Sequence, residues 1–321
     1  MEFLLVDWLS KPLWMWLSFF SLVLVMLAFD LGVLHRDNHV IKVKESLQLS
    51  AGYIGMGLLF GGWVWWELGP QSGLEYLTGF VVEKSLAMDN VFVIAMIFTV
   101  LGIPSKSQHR VLFWGILGVI VLRGLMIGLG AALVSEFEWV LYLFAAFLII
   151  TGVKMWIYAE HQGDLNQNPL LVWLRKHTRI TKELHGQSFY VKQPDPKTGK
   201  VVWFMTPLMV ALIMVEIADV IFAVDSVPAI FAITTDPFIV YTSNIMAILG
   251  LRALYFALAA MVDRFKYLKY ALAVLLVFIG SKIFVAPLLG LEKFPPTLGL
   301  SITFLILASG VGYSLWKTRK A

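Results

Sequence analysis

The chain has 321 residues, of which 59% are hydrophobic and only 14% charged, and its mean hydropathy is +0.81. A soluble domain carries roughly 45–50% apolar and about 25% charged residues, so this composition excludes a water-solvated globular surface and points to lipid as the solvent. The chain has no cysteine, which removes disulfides, thiolate metal sites and cysteine nucleophiles, and its formal net charge of +4 is the modest basic excess of cytoplasmic loops, not a nucleic-acid footprint.

Near the N-terminus, Glu2 and Asp7 stand where a cleavable signal would carry basic residues, so the apolar run Leu13–Leu34 is expected to stay in the chain as a span. Crossing about 30 Å of hydrocarbon takes roughly 20 apolar residues. Nine segments meet that requirement, with approximate limits 12–34, 46–66, 74–101, 111–134, 138–157, 203–235, 239–262, 267–289 and 296–316. The expected fold is therefore all-α, a polytopic membrane protein with a single membrane domain. One long polar stretch, about 158–201, reads as a loop with a short amphipathic helix near Leu170–Lys176.

Basic residues alternate between the connections. Arg36, Lys42 and Lys44 follow the first span, Lys106 and Arg110 the third, Arg264, Lys266 and Lys269 the seventh, and Lys317, Arg319 and Lys320 the ninth. The long loop adds Arg175, Lys176, Arg179, Lys182, Lys192, Lys197 and Lys200, while the intervening connections are acidic or nearly uncharged. Basic loops stay on the cytoplasmic side, so the N-terminus is expected outside and the C-terminus inside.

The sequence also repeats. Phe137–Trp156 aligns with Phe265–Phe284 through Tyr142/Tyr270, Ala145/Ala273, Leu148/Leu276, Gly152/Gly280 and Lys154/Lys282. Leu122-Arg123-Gly124-Leu125 matches Leu251-Arg252-Ala253-Leu254, and Ala87-Met88-Asp89-Asn90 matches Ala223-Val224-Asp225-Ser226. Three helices form each unit, about 74–157 and 203–289, leaving 12–34, 46–66 and 296–316 as extra helices. A three-helix unit followed by its copy inserts upside down, and paired inverted units place their binding site at the midplane where they meet.

Five acids fall inside these spans: Glu83 and Asp89 in the third, and Glu216, Asp219 and Asp225 in the sixth. Left unpaired at the bilayer centre they would cost on the order of 12–18 kcal/mol, so each must be paired, protonated or bound to a cation. At 100° per residue, Glu216 and Asp219 share a face while Asp225 lies about 120° away, as Asp89 does from Glu83. Pro228 is expected to break the sixth helix and let the acids converge. Arg123 and Arg252 are the expected counterions; Lys154 and Lys282 are expected to snorkel, and Lys84 to pair with an acid. Carboxylate, amide and hydroxyl oxygens without cysteine or intramembrane histidine form a hard ligand set suited to Mg²⁺, Ca²⁺ or Mn²⁺.

Glu83-Lys84-Ser85-Leu86-Ala87-Met88-Asp89-Asn90-Val91-Phe92 and Asp219–Phe231 resemble the two signature segments of the TerC family of integral membrane proteins, most of all its Alx-like branch. The resemblance runs over nearly the whole chain, including Asp236-Pro237-Phe238 and Ser243-Asn244. It implies export of Mn²⁺ as substrate across the bacterial cytoplasmic membrane, within the wider group of LysE-like transporters. It also implies metal-ligand roles for Glu83, Asp89, Glu216, Asp219 and Asp225, with Asn90 and Ser226 as auxiliary ligands. Proton exchange is a compatible driving force, and no nucleotide-binding motif points to hydrolysis.

Two other readings stand beside a transporter. One is a membrane partner that binds metal for secreted enzymes without moving it. The other is an intramembrane protease using Asp89 and Asp225, against which three further acids crowd the site and the Gly-x-Gly-Asp pattern is absent, so no enzyme activity is expected. Oxygen ligands do not choose among the three cations, and neither coupling stoichiometry nor oligomeric state is written in the sequence.

Overall fold

The computed structural model describes residues 6–9, 11–29, 43–137, 139–157, 169–181, 183–194, 199–259, 265, 267–291 and 294–318. The described chain is overwhelmingly helical. It runs α1 (Leu13–Phe29), α2 (Val43–Leu68), α3 (Pro70–Val100), α4 (Ser105–Glu136), α5 (Trp139–Ile157) and α6 (Pro169–His177), then α7 (Pro207–Phe231), α8 (Pro237–Leu249), α9 (Leu251–Ala259), α10 (Leu268–Leu288) and α11 (Pro296–Thr318). Among the described residues, six helices (α2, α4, α5, α7, α10 and α11) are long and apolar enough to cross a membrane. The pair α8–α9, bent by 41° at its break, passes the same test when taken together, as a broken span or a re-entrant loop. Helix α1 is shorter, at 17 residues, and α3, at 31 residues, carries Glu75, Glu83, Lys84 and Asp89. The end of the expected first segment, 30–34, lies outside the described residues.

Three expectations change. The sixth helix does not break at Pro228: α7 continues through it and ends at Phe231, where Ala232 N–H bonds to the Pro228 carbonyl at 2.9 Å. A proline in the last turn leaves one carbonyl without its helical donor but has little helix beyond it to deflect. The break falls in the next span, at Gly250, between α8 and α9. The third change precedes α7, where the expected helix start at 203 is instead strand β4 (Val201–Met205), paired antiparallel with β3 (Tyr190–Pro194). Its Val, Trp and Phe residues fit a pleated surface, and the helix starts only after Thr206, with Pro207 in its first turn. An N-terminal two-residue pairing of Asp7–Trp8 with Lys11–Pro12 completes the strand content.

Packing of α5 against α10 is close and reciprocal. A Cβ at Gly152 would meet the Ala273 carbonyl at 2.6 Å, and a Cβ at Gly280 would meet the Ala145 carbonyl at 2.6 Å. Ring pairs flank both ends, Tyr142 with Phe284 at 5.9 Å and Trp156 with Tyr270 at 5.2 Å. The helices therefore run antiparallel. Exchanging each residue for its sequence match converts every one of these contacts into another. Helix α3 packs on α8, and α4 on α7. Helix α8 lies at the centre of this arrangement, buried at every position from Phe238 to Leu249.

Candidate functional site

At 1.5 Å per residue, Glu83 lies about 20 Å along α3 from its start and Asp219 about 18 Å along α7, each near the middle of a span-length helix. Both meet Arg123 of α4, a residue only 1% exposed. Arg123 Nε and Nη2 donate to the two Asp219 carboxylate oxygens at 3.1 and 2.8 Å, a bidentate pair. Its Nη1 donates to Glu83 Oε1, to Ser226 Oγ at 2.9 Å and to Asn244 Oδ1 at 3.2 Å. One guanidinium thus ties α3, α4, α7 and α8 together and faces two carboxylates.

Several buried oxygens and nitrogens here have no hydrogen-bond partner among the described residues: Glu83 Oε2, Glu216 Oε2 and Asn244 Nδ2. Glu216 sits one turn before Asp219 and lays its carboxylate against α4 at Gly118, where a Cβ would overlap it. Glycine at 118 leaves the Glu216 carboxylate free to lie there; a side chain would displace it. Beside this network is a cavity of about 30 Å³, lined by Asn90, Asp219 and Arg252 among apolar neighbours from α3, α4 and α7 to α9. One water needs about 10–15 Å³ on this measure, so the cavity has room for water or a small ion.

The sequence-derived residues therefore divide. Glu83, Glu216, Asp219 and Asn90 gather where α3, α4 and α7 meet, and Arg123 is the counterion expected of it. Ser226 accepts a hydrogen bond from that arginine. Arg252 is buried beside the cavity, its guanidinium 6.0 Å from the Phe113 ring centre. Asp225 lies apart, beside Thr151 of α5. Asp89 belongs to α3, and its side chain lies outside the described residues. Among the described residues, no three acidic or histidine side chains converge as a ready-made metal site.

Two lysines depart from expectation. Lys84 forms no ion pair with an acid among the described residues; its Nζ donates to the Ala247 carbonyl at 3.0 Å. Lys282 does not snorkel but is buried, 5.6 Å from the Phe278 ring centre and close to Gly299 of α11, whereas its match Lys154 is exposed. Helix α11 covers one member of the pair and not the other. Asn244 and Gly118 are the site residues that motif reading overlooked; the only sequence signal for Asn244 was its place in the segment before Leu251-Arg252.

Apolar helices closed around a buried arginine–carboxylate network define an integral membrane protein with ionisable groups inside its bundle. The model of the TerC family, integral membrane proteins, matches residues 68–321, and the chain belongs to that family. An uncharacterized membrane protein of Myxococcus xanthus, STKORF319, is 45% identical over 307 residues, covering 96% of this chain and 93% of the relative. The Alx protein of Escherichia coli strain K12, whose name provisionally describes a membrane-bound redox modulator, is 45% identical over 311 residues, covering 94% of each chain. An uncharacterized membrane protein of Rickettsia bellii is 44% identical over 296 residues, 92% of this chain and 95% of its own. No solved structure matches the chain.

Proposed function

We propose that this protein is a secondary transporter that exports a divalent metal ion, Mn²⁺ first, from the cytoplasm across the bacterial inner membrane. The observation that carries this reading is the shared arginine: Arg123 is placed between Glu83 and Asp219, Glu83 keeps one carboxylate oxygen buried without a partner, and so does Glu216, one turn before Asp219 and against Gly118. Buried acceptors left unsatisfied are costly, and a visiting cation satisfies them. Carboxylate and amide oxygens suit Mn²⁺, Mg²⁺ and Ca²⁺.

The reading takes the chain as nine spans, with α1 and α3 crossing as well, the N-terminus outside and the C-terminus in the cytoplasm. The units 74–157 and 203–289 are then inverted repeats, supported by the reciprocal contacts of Gly152 with Ala273 and Gly280 with Ala145. In inverted units Glu83 and Asp219 approach the midplane from opposite sides. Arg123 acts as the resident cation of the empty site: the metal takes carboxylate oxygens from it, and the two repeats rock about the site to expose it to either side. Asp89 and Asp225, one per repeat, are further ligands, with Asn90 and Ser226 as auxiliary ligands.

Metal-loaded proteoliposomes test the proposal. Efflux of Mn²⁺ dependent on the protein, faster with an opposing proton gradient, supports exchange transport. Metal binding with no flux in either condition would instead support the metal-holding partner. The relative's name raises redox modulation as a further theme. With no cysteine the chain has no thiol–disulfide chemistry of its own, so an effect on redox balance would follow from the metal moved.

A further inference from the structure

The buried ammonium of Lys84 has a role that the metal site does not use. Helix α8 is a short, fully buried helix with complete capping at its start: Asp236 accepts from the Phe238 and Ile239 N–H groups at 2.9 and 3.4 Å and pairs with Lys11 at 2.8 Å. Its other end stops inside the protein, at Gly250, where the chain bends by 41° into α9. In an unbroken helix the Ala247 carbonyl would accept from Leu251 N–H. Here it accepts from Lys84 Nζ of α3, at 3.0 Å. Lys84 is 8% exposed and forms no ion pair with an acid among the described residues. Its ammonium sits on the negative end of α8, worth about half an elementary charge.

Gly250 fits this arrangement. Its φ of −81° suits any residue, so conformation does not demand glycine. Space does: a Cβ there would stand 2.7 Å from Lys84 Nζ and 2.9 Å from Tyr53 Cβ. The hinge also separates two residues of the site, Asn244, which accepts from Arg123, and Arg252, which lines the cavity. On the far side of the hinge, α9 is held by Ser46 Oγ of α2, which donates to the Ala253 carbonyl.

The geometry points to Lys84 as the latch of the α8–α9 hinge, a tethered cation seated on the open end of α8 that fixes the angle of α9, and with it Arg252, to the position of α3. Glu83 and Lys84 are neighbours in the chain, so a shift of α3 that alters the carboxylate site also moves the latch. Lys84 is thus a positioning residue and not a metal ligand.

Hydrogen exchange on the full chain in nanodiscs reads the latch directly, without metal. Lys84→Met is expected to speed exchange of the α9 amides, Leu251 to Leu258, by on the order of tenfold to a hundredfold, the loss of one charge-assisted hydrogen bond, while α5 and α10 keep their protection. Gly250→Ala gives an opposed sign. Helix propensity alone predicts slower exchange, since alanine is favoured over glycine by about 1 kcal/mol. The latch predicts faster exchange, because the methyl unseats the ammonium. Since the methyl also crowds Tyr53, the double variant decides: with the latch, Gly250→Ala adds little once Lys84 is gone. Slower or unchanged α9 exchange in Lys84→Met, or full additivity in the double variant, overturns the latch. A flux arm rests on the transport reading: Lys84→Met should slow Mn²⁺ efflux without weakening Mn²⁺ binding, and an equal loss of both would make Lys84 part of the metal site. Absence of flux in the unmodified protein would remove the transport reading and leave the exchange result standing.

Discussion

Asp219 accepts from both Nε and Nη2 of Arg123, at 3.1 and 2.8 Å, inside a bundle where both side chains are buried. Removing one partner of a buried pair strands the other charge and destabilises by about 3–5 kcal/mol, whereas replacing the pair together is far milder. Arg123→Met should therefore lower the thermal midpoint sharply, and Arg123→Met with Asp219→Asn should recover part of the loss. A double variant no more stable than the single would show that the pair is not the structural tie.

Glu216 depends on the missing side chain at 118. Gly118→Ala places a methyl where the Glu216 carboxylate lies, and displacing it should reduce Mn²⁺ binding while leaving the helical content by circular dichroism intact. Shortening the acid relieves the overlap, so Glu216→Asp in the Gly118→Ala background should bind better than Gly118→Ala alone. No recovery would place Glu216 outside the site.

The reciprocal contacts of α5 and α10 make a symmetric prediction. Gly152→Val and Gly280→Val each drive a side chain into a backbone carbonyl, and each should destabilise by about 1–3 kcal/mol, the usual range for overpacking. The two losses should be similar, measured by thermal unfolding in detergent. A large difference would mean that the two contacts are not equivalent.

Asp225, beside Thr151 and outside the arginine network, should separate function from stability. Asp225→Asn is expected to slow metal efflux with a thermal shift much smaller than that of Asp219→Asn, which disrupts the bidentate pair. Equal thermal shifts would contradict this division of the acids.

How far the sequence reveals this arrangement depends on the kind of signal. Composition and hydropathy mark lipid-facing helices, and an acid in an apolar run stands out because its desolvation is so unfavourable. Glu83, Asp219 and the arginine between them were legible for that reason. The hinge was not. Pro228 carries the usual breaker signal, yet it falls in the last turn of α7, while the real break is at Gly250, a residue common in membrane helices. What distinguishes Gly250 is the ammonium and the tyrosine packed against it, a three-dimensional fact. Lys84 misled similarly, because a buried cation is expected to seek a carboxylate and this one takes a carbonyl at a helix end. Strand β4 was hidden at the start of an apolar stretch that reads equally well as helix, and its partner β3 lay in the polar loop.

The most direct measurement is Mn²⁺ efflux from proteoliposomes reconstituted with the unmodified chain and, separately, with Glu83→Gln and Asp219→Asn. The account predicts efflux from the first that both variants reduce by an order of magnitude or more, as expected for acids that hold the ion at the midplane. Efflux undiminished in folded samples of both variants would contradict it.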